Sequence, residues 1–147
     1  MSLQLPIETS RGIESAFGDA AITFPHAVVK TGSDDRHFAA VANVADVPRG
    51  IVLHDTVSAD DVTAQIKKNV ALFGVYPETL PAIVSGAITA MAQVVADPAN
   101  PGQVKQLPAA AGTYYVIGRA RFAVTTAGDT LSLIHQVPVA VTIAAQG

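Results

Sequence analysis

The chain is written as short apolar runs cut by turn residues, most regularly over residues 47–137. Val62, Ala64 and Ile66 alternate with Thr63, Gln65 and Lys67, the period of a strand with one dry and one wet face. The spacing predicts a strand over 62–68. Residues 114–124 and 130–137 flank Thr125-Thr126-Ala127-Gly128-Asp129, a polar loop whose glycine can take the positive φ of a hairpin connection. Two paired strands are expected there. Further candidate strands are 21–30, 38–44, 50–54, 82–84, 87–96 and 103–107, with Pro25 placing the first at an edge or bulge. Pro77 and Pro81 are expected to end the segment that follows residue 62. Asp97-Pro98-Ala99-Asn100-Pro101-Gly102 is the strongest turn signal.

About nine or ten short strands with no convincing helix favour an all-β fold, a compact β-sandwich or barrel, over any α/β plan. The alanines of 83–95 make that stretch the best helix alternative. Residues 1–19 mix Pro6, Gly12 and Gly18 with polar residues and show neither period, so they are expected to be an extended N-terminal arm able to add to a neighbour's sheet edge. Residues 20–147 form the expected single β-rich domain.

Composition changes the picture in one respect. The 147 residues are 50% hydrophobic and only 14% charged, whereas surfaces that stay monomeric carry roughly 25–35% charged residues. Part of this surface is expected to be covered by other protein. The formal net charge of -3 argues against a nucleic-acid partner, since no basic field exists to attract phosphates. The uncharged stretch 79–96 is interrupted by Pro81, Ser85, Gly86, Thr89 and Gln93, so a membrane span is not expected. The first eight residues contain no basic segment followed by an apolar run, which makes cytoplasmic synthesis the expectation. There is no cysteine, and hence no disulfide frame or thiolate metal site.

Chemistry is sparse. No phosphate loop, nucleophile elbow or His-Glu-x-x-His helix occurs. His37 beside Asp34, Asp35 and Arg36 has the residue types of a metal or acid/base cluster, but adjacent residues point apart on a strand and a solvated turn is the expected reading. His54, Asp55 and Ser58 are the residue types of a hydrolase triad, although triads assemble in space rather than by proximity in sequence. His135 shares parity with Leu131, Leu133 and Val137 and is expected in the core or an interface; His26 follows Pro25 with no visible partner. Arg119 and Arg121 share parity with Tyr115 and Ile117, which predicts two guanidinium groups and an aromatic along one surface. Arg and Tyr are favoured at protein interfaces.

The order of several segments resembles the small head-decoration, or capsid cement, proteins of tailed bacteriophages. They are Arg49-Gly50-Ile51-Val52-Leu53, Ala87-Ile88-Thr89-Ala90 leading to Val94-Val95-Ala96-Asp97, Gly102-Gln103-Val104, and Tyr115-Val116-Ile117-Gly118-Arg119-Ala120 with Gly128-Asp129 before Leu131. Met91 stands where such proteins often carry a glycine. The resemblance implies a non-enzymatic β-rich protein on the outer surface of the phage head, often a homotrimer, that binds the major capsid protein and stabilises the shell without a cofactor. Leu3, Leu5 and Ile7 in the arm, together with Tyr115, Arg119 and Arg121, are then the candidate capsid or subunit contacts. Two other classes compete with it. One is a ligand- or receptor-binding β-sandwich module of a virion or cell surface, which the absence of Trp disfavours for sugar stacking; the other is a small hydrolase built on His54, Asp55 or His37.

Overall fold

A computed structural model describes residues 11–145. Ten strands fall into two layers. The first is a closed barrel in the order β1-β3-β2-β4-β5, from β1 (Ile13–Gly18), β2 (Val28–Thr31), β3 (His37–Ala40), β4 (Gly50–Val52) and β5 (Lys67–Leu72). The second is a five-stranded sheet in the order β6-β10-β9-β7-β8, from β6 (Leu80–Ile83), β7 (Gln93–Asp97), β8 (Gln103–Gln106), β9 (Gly112–Ala120) and β10 (Thr130–Ile143). The expected all-β class is the observed one, and it contains both a barrel and a sheet.

Two apolar clusters explain how the layers hold together. Ala16, Val29, Phe38, Val52 and Val70 fill the barrel. Val28, Ile51 and Ala71, their neighbours in sequence, point the other way and pack on Leu80, Val94, Ile117, Leu131 and Leu133 of the sheet. Strands β2, β4 and β5 thus bury both faces at Val28-Val29, Ile51-Val52 and Val70-Ala71, which is why those adjacent apolar pairs break any alternation. Phe73 enters the second cluster just beyond β5, and the connection 73–79 leads from barrel to sheet.

Several boundaries differ from the sequence reading. The stretch around residue 62 is not a strand: Ala59–Ala64 forms a short helix, α1. Ser58 accepts from the Asp61 N–H while Asp61 accepts from the Ser58 N–H, a reciprocal cap that fixes the first turn. Gln65 in the left-handed region, φ 53, ends it. Pro81 does not stop a strand but lies inside β6, where its missing N–H is tolerated because β6 is the edge of its sheet. Ile13–Gly18, within the expected arm, is a barrel strand pairing antiparallel with β5 and parallel with β3. Of the arm, residues 1–10, with Leu3, Leu5 and Ile7, lie outside the described residues. β9 and β10 pair across the expected polar loop, and β10 continues past Val137 to Ile143. No helix among the described residues is long and apolar enough to cross a membrane.

Candidate interaction face

The sequence places Tyr115, Arg119 and Arg121 on one surface, and the structure separates them. Val94 pairs with Gly118 but Val95 pairs with Val116, so Ile117 is an extra residue in β9. This bulge inverts the alternation. Ile117 turns into the core, fully buried. Tyr115 falls on the side that faces the barrel, where Tyr114 and Tyr115 line a narrow cleft with Val41, Val44, Asp46 and Pro48. Arg119 and Arg121 lie beyond the bulge and remain exposed.

Around the two arginines the sheet gathers an apolar patch. Ile134 stands directly opposite Arg119 on β10 and Gln93 opposite it on β7. Arg119 Nη1 donates to the Met91 carbonyl oxygen at 2.9 Å. The Arg121 guanidinium lies 5.1 Å from the ring centre of Phe122. Phe122 is 61% exposed, Met91 52% and Ile134 43%. Among the described residues neither arginine forms an ion pair, whereas Arg49 pairs with Glu14 and Lys68 with Asp55 and Asp61. An exposed aromatic, a methionine and two cations without carboxylate partners have the composition of a protein-contact surface.

Sequence reasoning found the arginines and missed Met91, Phe122 and Ile134. Had β9 run straight to residue 124, Phe122 would have shared the parity of Ala120 and faced inward; the strand ends at Ala120 instead. Met91 adopts φ 62, a left-handed conformation that glycine enters without cost. The position where the resembling proteins often carry glycine is therefore one with that backbone demand.

The other candidates are engaged elsewhere. His37 Nδ1 lies 2.7 Å from Asp34 Oδ1, and this hydrogen bond raises the imidazole above its ordinary pKa and lowers the carboxyl. His54, Asp55 and Ser58 point to three different partners. The His54 ring meets His26 edge-on at 5.1 Å, Asp55 Oδ2 accepts from Lys68 Nζ at 2.9 Å, and Ser58 caps α1. Burial first, and the neighbouring His54 second, lower the pKa of His26. No group of three or more His, Asp or Glu among the described residues is placed to hold a metal ion. An open hollow of about 230 Å³ lies between Tyr76, Pro77, Glu78, Ile134 and His135, but both ring nitrogens of His135 are already hydrogen-bonded to backbone.

No protein-family model matches the chain, and no curated protein matches its sequence.

Proposed function

We propose that this chain is a decoration protein of a tailed-bacteriophage head, binding the major capsid protein on the outer surface and reinforcing the shell, with other copies of itself as further partners in a homotrimer. The observation that carries the reading is the face formed by Met91, Arg119, Arg121, Phe122 and Ile134. It offers an apolar anchor ringed by cations, suited to a capsid surface that presents carboxylates beside an apolar pocket. The segment order quoted above, the shortage of charge over the whole chain and the rigid two-layer β core support it. Such a protein needs shape and many modest contacts rather than a reactive group, because contacts to several subunits multiply through avidity. The reading calls for no cofactor.

The test is co-sedimentation of the purified protein with expanded, undecorated heads of the phage that encodes it. Saturable binding is expected, with reversal of both charges in Arg119→Glu/Arg121→Glu weakening it at least about tenfold while the thermal midpoint of the free protein stays unchanged. Absence of binding by the unaltered protein, or full binding by the double variant, overturns the proposal.

A further inference from the structure

β2 and β4 pair at Val28 with Ile51 and at Val29 with Gly50, and the ladder runs one step further where the Val52 N–H donates to the Ala27 carbonyl oxygen at 3.0 Å. It resumes at Ile22 and Val57, which exchange both backbone hydrogen bonds, at 2.8 and 2.9 Å. Residues 23–26 and 53–56 lie between these points. Among the described residues the one hydrogen bond that crosses this gap is made by a side chain: the His54 N–H donates to Nδ1 of His26 at 3.3 Å. The imidazole stands where a backbone carbonyl would stand in an unbroken ladder.

Both histidines hold a left-handed backbone, φ 64 and φ 54, which costs any residue that carries a side chain. The surroundings enforce it. Ile22 and Val57 are buried in the barrel cluster on one side of the gap, and Val28 and Ile51 in the inter-layer cluster on the other. The rings themselves meet edge to face, 5.1 Å between centres.

A backbone N–H can only donate, so the bond requires that Nδ1 of His26 carry no hydrogen. A proton on that nitrogen sets two donors against each other and removes the bond. It also puts a positive charge against the ring of a second histidine. Among the described residues no carboxylate pairs with either ring. Asp55, next to His54, and Asp61 of α1 are both drawn to Lys68 of β5, at 2.9 and 3.0 Å. The turn that touches Phe24 and Ala27 through Gly102 carries Asp97, which Ser85, Asn100 and Lys105 hold. Burial and then the neighbouring His54 keep the His26 imidazole below its ordinary value of 6.5.

We propose that His26 is an acid-released latch at one end of the barrel: protonation of its ring breaks the bond to His54 and lets residues 23–26 and 53–56 part, while Ile22 and Val57 stay anchored in the core. A histidine whose neutral form is favoured by folding contributes stability that is complete above its unfolded pKa and is lost as pH falls through the folded one. The latch therefore releases in mildly acidic solution, before ordinary carboxylates take up protons. Residues 53–56 lead directly into Ser58, the cap of α1, so the response loosens this end of the barrel and leaves the sheet unchanged. It stands independently of any binding to phage heads.

Amide hydrogen exchange at about pH 5 and about pH 7.5, corrected for the intrinsic effect of pH on exchange, tests it. Opening of 22–27 and 53–57 is expected to be at least about threefold more frequent at the lower pH, with residues 114–120 of β9 unaffected. His26→Asn supplies the comparison. Asparagine places an acceptor oxygen where Nδ1 stands, tolerates left-handed backbone and does not titrate, so the pH dependence should vanish. The same dependence in His26→Asn, or none in the unaltered protein, overturns the proposal. A second measurement needs no variant: in a titration followed by nuclear magnetic resonance, the His26 ring should show a midpoint below 6.5 and the His54 amide should shift with the same midpoint. A His54 amide that ignores the His26 ring would equally overturn the latch.

Discussion

The backbone N–H of Gly74 donates to Nδ1 of His135 across 2.9 Å, tying the connection that leaves the barrel to the long strand of the sheet. The other ring nitrogen, Nε2, donates to the Glu78 carbonyl oxygen at 2.8 Å. One accepting and one donating nitrogen fix a neutral imidazole with its hydrogen on Nε2. The ring also lies 6.2 Å and 6.3 Å from the rings of Phe73 and Tyr76. The histidine thus joins the two layers from a half-buried position rather than serving as a reactive group.

His135→Ala therefore releases two backbone groups at once and is expected to cost about 1–2 kcal/mol, since each lost hydrogen bond is worth about 1 kcal/mol where water can replace it. Gly74→Ala should cost at least as much. Gly74 has φ 78, and an added Cβ would overlap the backbone and side chain of Val137. Urea unfolding of both variants checks this. A midpoint unmoved by His135→Ala would show that the ring only fills space.

Asp97 sets an acid limit to stability. Its carboxylate is nearly buried, which opposes ionisation, but Ser85 Oγ at 2.7 Å, Asn100 Nδ2 at 3.0 Å and the Ala99 N–H at 3.1 Å donate to it. With Lys105 nearby, the net effect holds it below the ordinary value of 3.8. A carboxyl depressed by folding contributes stability that is present above its unfolded pKa and is lost as pH falls through its folded one. Asp34, Asp46 and Asp61 are depressed too. Stability should therefore fall as pH drops below about 4, and less steeply in Asp97→Asn, which at neutral pH loses about 1–3 kcal/mol. Thermal midpoints measured from pH 2 to pH 7 check this; parallel acid limbs in the two proteins would contradict it.

Ser58→Ala should cost about 1 kcal/mol by removing the cap of α1. The loss should appear locally, because none of the residues of α1 is buried. Faster amide exchange over 59–66 with little change in the global unfolding midpoint is the expected result. A large shift of that midpoint would mean that α1 is coupled to the barrel core.

This helix shows what the sequence could and could not reveal. Val62, Ala64 and Ile66 have the period of a strand, but Ser58 followed three residues later by Asp61 is a cap signal that outweighs so short an alternation. The all-β class was legible because glycine and proline mark nearly every turn and most strands hold Val or Ile. The barrel was not, because strands with both faces buried carry no alternation from which to read a layer. The arginines of the candidate face were visible as residues, but the face was not. A single extra residue at Ile117 sent Tyr115 to the opposite side, and nothing in the local sequence marks that bulge.

Met91 separates folding from docking. Its left-handed backbone, φ 62, costs a side-chain-bearing residue about 1 kcal/mol, while glycine enters the region freely but gives back about 0.5–1 kcal/mol in chain entropy. Met91→Gly should therefore leave stability unchanged or raise it by no more than about 1 kcal/mol. The carbonyl that accepts from Arg119 belongs to the backbone and survives the substitution. What disappears is the side chain, 52% exposed on the residue whose carbonyl Arg119 binds. If that side chain is part of the docking surface, Met91→Gly lowers affinity for undecorated heads by about 1–2 kcal/mol, and Phe122→Ala by about 2 kcal/mol or more. Urea titration and head binding measured on the same preparations separate the two effects. Unchanged binding by both variants would count against this face as a docking surface, whereas a large loss of stability in Met91→Gly would mean that the methionine packs inward.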